Sequence, residues 1–438
     1  MTFDFDTLID RRSTGSLKWD EYNAELPMWV ADMDFATAPA IREALQREVN
    51  RGVFGYAIET AQWRHAIADW WERRHGFRFD EEWLVFSTGV VPAISSIVRK
   101  LTTPAENVVV MTPVYDIFFN SILNNGRNPL ECPLAYDEAT MRYSIDFDDL
   151  ERKLANPQTS LMLLCNPHNP IGIVWDADTL ARIGELAWKH HVIVVSDEIH
   201  CDLTMPGVDY TPFASVSEHC RDNSVICVAP TKTFNLAGLH SAAVVAPNPV
   251  LRHRVWRGIN TDEVGEPGAF AVPATVAAFT QGGAWLDELR EYLAENRRVI
   301  TEYLHDPANW PALSGESGIR AVPGDATYLL WLDCSNLLKA AQAADTHGGC
   351  AVNAANPSSD SEDAKSGQRA KADMSLTFDT TEFCDYIQRT TGLLLSQGSQ
   401  YHGDGSRFLR LNFACPRERV RDGLNRLVRA ANAYAAVR

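Results

Sequence analysis

No two of the nine cysteines stand at Cys-x-x-Cys spacing, and no uninterrupted apolar stretch approaches the roughly 20 residues of a membrane-spanning helix. The first absence argues against a metal or disulfide framework. Cys132, Cys165, Cys201, Cys220, Cys227, Cys334, Cys350, Cys384 and Cys415 are scattered, several inside apolar runs where cysteine acts as a small hydrophobe, so reduced buried thiols and no metal are expected. The second argues against a membrane partner. Positive charge is scarce too: 40 Lys and Arg stand against 57 Asp and Glu, a net charge of −17, and no basic face is evident, which argues against unassisted nucleic-acid binding. The opening Met1-Thr2-Phe3-Asp4-Phe5-Asp6 lacks a basic region followed by an apolar one, so a cytoplasmic location is expected rather than secretion. Large apolar residues are nearly missing from 341–373, a stretch rich in Ala, Ser, Asp, Asn and Gly. It reads as a disordered surface insertion.

What is present is a soluble globular composition, 45% hydrophobic and 22% charged over 438 residues, long enough for one large and one smaller domain. From about residue 85 to 246, short β-branched runs alternate with amphipathic stretches, the mark of a mostly parallel sheet wrapped by helices. The expected strands are Leu84–Phe86, Val108–Met111, Leu161–Leu164, Val192–Val195, Val225–Val228 and Ala242–Val245, with a helix over Asp178–His190. A smaller α+β unit is expected from Leu286, with a helix to Leu304, strands at Ala326–Leu332 and Phe408–Phe413, and a helix over Glu418–Ala435. The divisions expected are an N-terminal segment 1–45 packed on the small domain, a large domain 46–285 and a small domain 286–438.

In such sheets ligands gather beyond the carboxyl ends of the strands, so the residues after each run carry the site. Lys232 follows Ser224–Val228 and Asp197 follows Val192–Val195. An amine for a Schiff base and an anion for a pyridinium nitrogen, both at strand ends of one sheet, are what pyridoxal 5′-phosphate chemistry needs. After Phe86, Ser87-Thr88-Gly89-Val90-Val91-Pro92 reads as a turn into a helix whose free amides suit a phosphate, although many strand-to-helix turns offer the same. Tyr115 is either a ring that stacks on a flat cofactor or a core tyrosine. Asn169, in the rigid Asn166-Pro167-His168-Asn169-Pro170-Ile171-Gly172, can meet a phenolate oxygen without titrating. Glu198 is expected to turn away from Asp197. His200 either reaches the cofactor oxygen or is structural, and Thr231 can offer its hydroxyl to the phosphate.

These segments, with Thr231–Leu239, resemble the fold type I pyridoxal phosphate enzymes of the aspartate aminotransferase superfamily. Pro27-Met28-Trp29-Val30-Ala31-Asp32-Met33-Asp34-Phe35 and Arg410–Pro416 resemble its cystathionine β-lyase branch, the MalY/PatB type. The resemblance spans nearly the whole chain except 341–373. It implies an aspartate-aminotransferase-like fold with a mostly parallel seven-stranded sheet and a smaller α+β C-terminal domain. It implies that Lys232 is the Schiff-base amine, that Asp197 pairs with the pyridine nitrogen, that Asn169 contacts O3′ and that Tyr115 stacks. Gly89, Val90 and Val91 would meet the phosphate. Arg410 would hold the substrate carboxylate, with Asn169, Trp29 and Ala31 on the substrate side. Tyr56 would reach the phosphate of a neighbouring subunit, making a homodimer with active sites at the interface. Two positions depart from the related aminotransferases: His240 stands eight residues after the lysine in place of arginine, and His200 stands in place of a cofactor tyrosine. The function implied is C–S β-lyase action on cystathionine or a related cysteine S-conjugate. The rival readings are an aminotransferase of the same fold and an added role binding a regulatory protein. Incubation with cystathionine separates the first two.

Overall fold

The computed structural model describes residues 2–347 and 379–437. The β-branched runs form seven strands of one sheet: β1 Leu84–Ser87, β2 Asn107–Thr112, β3 Asn128–Pro133, β4 Thr159–Cys165, β5 Ile193–Asp197, β6 Ser224–Val228 and β7 Ala242–Val245. Their order is β1-β7-β6-β5-β4-β2-β3. Six run parallel, and β7 alone is antiparallel, to both of its neighbours. The inner strands are buried at nearly every position because helices cover both faces, which is why they read as continuous apolar runs rather than as alternation. The pleat still divides them: Val108, Val110, Leu161 and Leu163 join one apolar cluster, Val109, Met111, Met162 and Leu164 the other.

Helix α1 (Pro39–Arg51), α2 (Ala61–His75), α3 (Val90–Leu101), α4 (Ala177–Lys189), α5 (Pro249–Thr261) and α6 (Ala271–Gln281) supply those layers. In α4, Asp176 caps the first turn by accepting from Thr179 N, and Leu180, Ile183 and Ala187 form the buried face. A second sheet holds β8 Arg320–Ala321, β9 Leu329–Asp333, β10 Ser396–Gln397 and β11 Phe408–Asn412, antiparallel throughout in the order β8-β9-β11-β10. Helix α7 (Gly283–His305), α8 (Ser335–His347), α9 (Thr381–Thr391) and α10 (Arg417–Val437) accompany it.

Several expectations need correction. The strand expected to begin at Ala326 begins at Leu329, because Thr327 sits at φ +69 and Ala326 bridges to Thr204 instead. Strand β3 went unforeseen: it carries Pro129 and Pro133, which strand patterning disfavours, yet an edge strand has spare donor positions that proline can occupy. The insertion expected from residue 341 begins as helix, since α8 continues to His347; the rest of 341–373 lies outside the described residues. The division at residue 46 falls inside α1, and that at 286 inside α7.

The N-terminal segment is tied to the second unit. Leu26–Pro27 pairs parallel with Leu393–Leu394, Asp34 N donates to Ala414 O at 2.9 Å and Phe3 N to Glu288 at 2.9 Å. The eight cysteines among the described residues are free and buried, and Cys350 lies outside them. No helix of the described residues is long and apolar enough to cross a membrane.

Candidate active site

The parallel strands end on one side of the sheet, and a cavity of about 250 Å³ lies there. Each strand end expected to contribute does so: Gly89, Val90 and Val91 after β1, Tyr115 after β2, Asn169 after β4, Asp197 and His200 at and after β5, and Thr231 and Lys232 after β6 all line it. Ala31, from the N-terminal segment, lines it too.

Gly89 precedes α3, so the amides of Val90 and Val91 open that helix without intrahelical acceptors, and Pro92 brings no N–H. Thr88 and Thr231 add hydroxyls to the same wall. This is an anion seat of backbone and hydroxyl donors. At the other end Asp197 is 5% exposed and accepts from Ile199 N at Oδ1 (3.1 Å). Burial pushes its carboxyl up to about 7, and the Lys232 charge opposes that rise. Among the described residues no side chain forms an ion pair with it, and a protonated pyridine nitrogen is the kind of partner it fits. Burial pushes the Lys232 ammonium down to about 8; Asp32 and Asp197 hold it up, Arg410 lowers it further. Its Nζ donates to Ala31 O at 2.6 Å.

Buried His200 leaves Nδ1 without a partner among the described residues and is held neutral, pushed down to about 3 by burial and by the charges of Lys232 and Arg410. Glu198 turns away, accepting from Ser196 Oγ (2.8 Å), Phe213 N (3.0 Å) and the Tyr210 hydroxyl. The His200 nitrogen, the Asp197 carboxylate and the anion seat together fit a flat phosphorylated pyridine such as pyridoxal phosphate.

Arg410, on β11, is buried and does not itself line the cavity, but it meets the wall through Asn169. Its Nη1 donates to Asn169 Oδ1 (3.2 Å), its Nη2 to Trp29 O (3.0 Å), and its Nε has no partner among the described residues. Tyr401 lies under its guanidinium at 4.8 Å. A buried guanidinium with an unused edge is a ready carboxylate receptor. Trp29 reaches the site through its carbonyl, because its indole donates to Lys18 O (3.2 Å) and packs on Tyr22. Tyr56 does not join the cavity of its own chain and is fully exposed. His240 stands at the rim, exposed.

Sequence reasoning missed Tyr328, whose hydroxyl donates to Ala31 O (3.0 Å), and Asn412, which donates to Val30 O and Asp32 O, both at 2.6 Å. A tyrosine and an asparagine inside otherwise apolar runs are the signal that was available. Tyr401 belongs to the segment 397–401, which is expected from the sequence to shape the pocket but has no place there until the antiparallel register of β10 and β11 brings it to Arg410.

The sequence matches the family model for class I and II aminotransferases over residues 27–427. It is 37% identical over 97% of its length to cystathionine beta-lyase PatB of Bacillus subtilis, covering 98% of that protein. It is 31% identical to protein MalY of Escherichia coli over the full length of both. Among solved structures, cystalysin of Treponema denticola, which contains pyridoxal 5′-phosphate, superposes with a TM-score of 0.83 at 29% identity, covering 98% of this chain and 99% of that one. Strand ends, cavity and whole-length likeness agree: the chain belongs to the class I and II aminotransferase family, within the fold type I pyridoxal phosphate enzymes of the MalY/PatB branch.

Proposed function

We propose that this chain is a pyridoxal phosphate-dependent C–S β-lyase that cleaves L-cystathionine or a related L-cysteine S-conjugate to a thiol, pyruvate and ammonia. The observation that carries the reading is the cavity lined by both Lys232 and Asp197, with Arg410 bonded to its wall at Asn169, in a chain alike over its whole length to a cystathionine beta-lyase.

When bound, pyridoxal phosphate supplies a carbonyl that takes up an amino group and a ring that accepts the electrons released from Cα. The chain's own residues then divide the work. Val90, Val91, Thr88 and Thr231 bind the phosphate, and Tyr115 covers one ring face. Asp197 holds a proton at the pyridine nitrogen. Asn169, with neutral His200 beside it, meets the ring oxygen. Arg410 binds the α-carboxylate through Nε and its remaining Nη hydrogens, which orients the Cα–H bond. Trp29 and Ala31 border the substrate through their carbonyls, holding Arg410 and Lys232. Lys232 takes the proton from Cα, a task suited to an amine poised near neutrality. The C–S bond at Cβ breaks, the thiolate leaves, and the three-carbon remainder hydrolyses to pyruvate and ammonia.

The working unit in this reading is a homodimer in which Tyr56 reaches a neighbouring phosphate seat. Support comes from one apolar segment on which Val53 is 74% exposed, Tyr56 fully and Ile58 75%. Free buried thiols accord with a reducing, cytoplasmic setting.

Steady-state turnover of cystathionine tests the function. Pyruvate and thiol in equal amounts are expected, and Lys232→Ala loses them at least a thousandfold. Formation of a new amino acid that depends on an added 2-oxo acid, without thiol, would overturn the lyase reading in favour of amino transfer.

A further inference from the structure

The strap Trp29–Asp34 holds both functional cations by its backbone. Trp29 O accepts from Arg410 and Ala31 O from Lys232. The strap has no helix or strand of its own, so its place depends on what its side chains grip. Behind it the grip is ionic and buried. Arg11 forks Asp32, Nη2 to Oδ2 at 2.8 Å and Nη1 to Oδ1 at 3.2 Å, and Nη1 also reaches Asp34 Oδ1 at 2.8 Å and Met33 O at 3.0 Å. Lys18, 1% exposed, gives its ammonium to Asp34 Oδ2 at 3.1 Å and to Asp32 O at 3.2 Å. Arg419 closes on Asp34 Oδ2 at 3.3 Å. Asp34 is held below its ordinary value: burial raises it, and the Lys18 charge outweighs that together with Trp19, Arg419 and Arg11.

Burying an ammonium to this degree costs more than an apolar residue there would, so the cluster is poor stabilisation and good specification. Arg11 and Lys18 precede residue 27, where the family match begins. We propose that Arg11 and Lys18 are positioning residues of the amino-acid site: by clamping Asp32 and Asp34 they fix the Trp29 and Ala31 carbonyls that aim Arg410 and Lys232. Misplacement by about 1 Å at a distance from the chemistry is enough for a large loss.

The proposal rests on the preceding reading only in that Arg410 takes an amino-acid carboxylate. Arg11→Gln and Lys18→Met holoenzymes are titrated with L-alanine, read by the cofactor's absorbance, and with propionate as a competitive inhibitor of turnover. The cofactor-free proteins are followed by hydrogen exchange at the amides of Asp34 and Asn412, which bond to Ala414 O and Met28 O. Half-saturation by alanine and the propionate inhibition constant are expected to rise about tenfold, kcat on cystathionine to fall as well because Lys232 loses its aim, and both amides to exchange faster. Should Lys18→Met not accumulate as folded protein, Arg11→Gln, at a side chain 23% exposed, decides alone. Half-saturation within twofold of the parent, or a fall confined to kcat, overturns the proposal. A parent that titrates with alanine but releases no thiol from cystathionine sinks the lyase reading and leaves this one standing.

Discussion

Two side chains at the cavity show how burial sets chemistry. Arg410 spends Nη1 and Nη2 on Asn169 and Trp29 and keeps Nε unpartnered among the described residues, so a ligand carboxylate would complete its planar fork. Arg410→Ala should lower kcat/KM for cystathionine by about 2–5 kcal/mol, roughly 30- to 5000-fold, and Arg410→Lys should recover little because an ammonium cannot form two parallel bonds. Steady-state kinetics checks both. Asp197 gives a pH-dependent expectation for the cofactor-free protein. Its folded carboxyl titrates at about 7, above the ordinary 3.8, so between those values the folded state binds more protons than the unfolded one. The contribution of Asp197 to stability therefore falls as pH rises from about 4 to 7, each pH unit of displacement being worth about 1.4 kcal/mol, with the cost complete above 7. Asp197→Asn removes that cost: its melting temperature should exceed the parent's at pH 8 and match it at pH 4. Thermal melts at the two pH values decide, and a larger difference at pH 4 would refute the account.

Among the elements, what was legible in the sequence follows from how local the signal is. The expected cores of β1, β2, β4, β5, β6 and β7 needed only β-branched runs buried on both faces, and the strand ends then named Asp197, Asn169 and Lys232 without tertiary knowledge. Strand β3 exists through its pairing with β2, and two prolines hide it. The segment that carries Tyr401 was assigned to the pocket but its place was unreadable for the same reason, because β10 and β11 bring Tyr401 beneath Arg410 across a register no local pattern encodes. The turn carrying Tyr401 is packed without slack. A Cβ placed on Gly398 would collide with the carbonyl oxygens of Gly405 and Phe408, both backbone atoms that no rotamer change can move. Gly398→Ala should thus cost at least about 1–3 kcal/mol and weaken substrate binding by disturbing Tyr401, against the usual small gain of adding a methyl. A melt paired with KM measures it; an unchanged Tm would mean that the turn relaxes.

At the scale of the whole molecule, the segment after α1 is the place where one chain looks incomplete. Val53, Phe54, Tyr56 and Ile58 stand exposed within six residues, on a loop that buries none of them, although Phe54 touches Phe270 at 5.6 Å. A net charge of −17 keeps chains apart by general repulsion, so an association here must come from a local apolar patch large enough to exceed it. The proposed dimer meets that need and gives Tyr56 a phosphate to reach, which its own cavity does not offer. Ile58→Glu sets a carboxylate in the patch while leaving a side chain 75% exposed, so the fold of the single chain has no reason to suffer. The parent is expected to sediment as a dimer at micromolar concentration, and Ile58→Glu to dissociate, with circular dichroism unchanged and thiol release falling on dilution. Tyr56→Phe should leave the dimer intact and loosen only the cofactor, seen as faster loss of its absorbance on dialysis. A parent that sediments as a monomer while fully active would remove the dimer and, with it, any work for Tyr56.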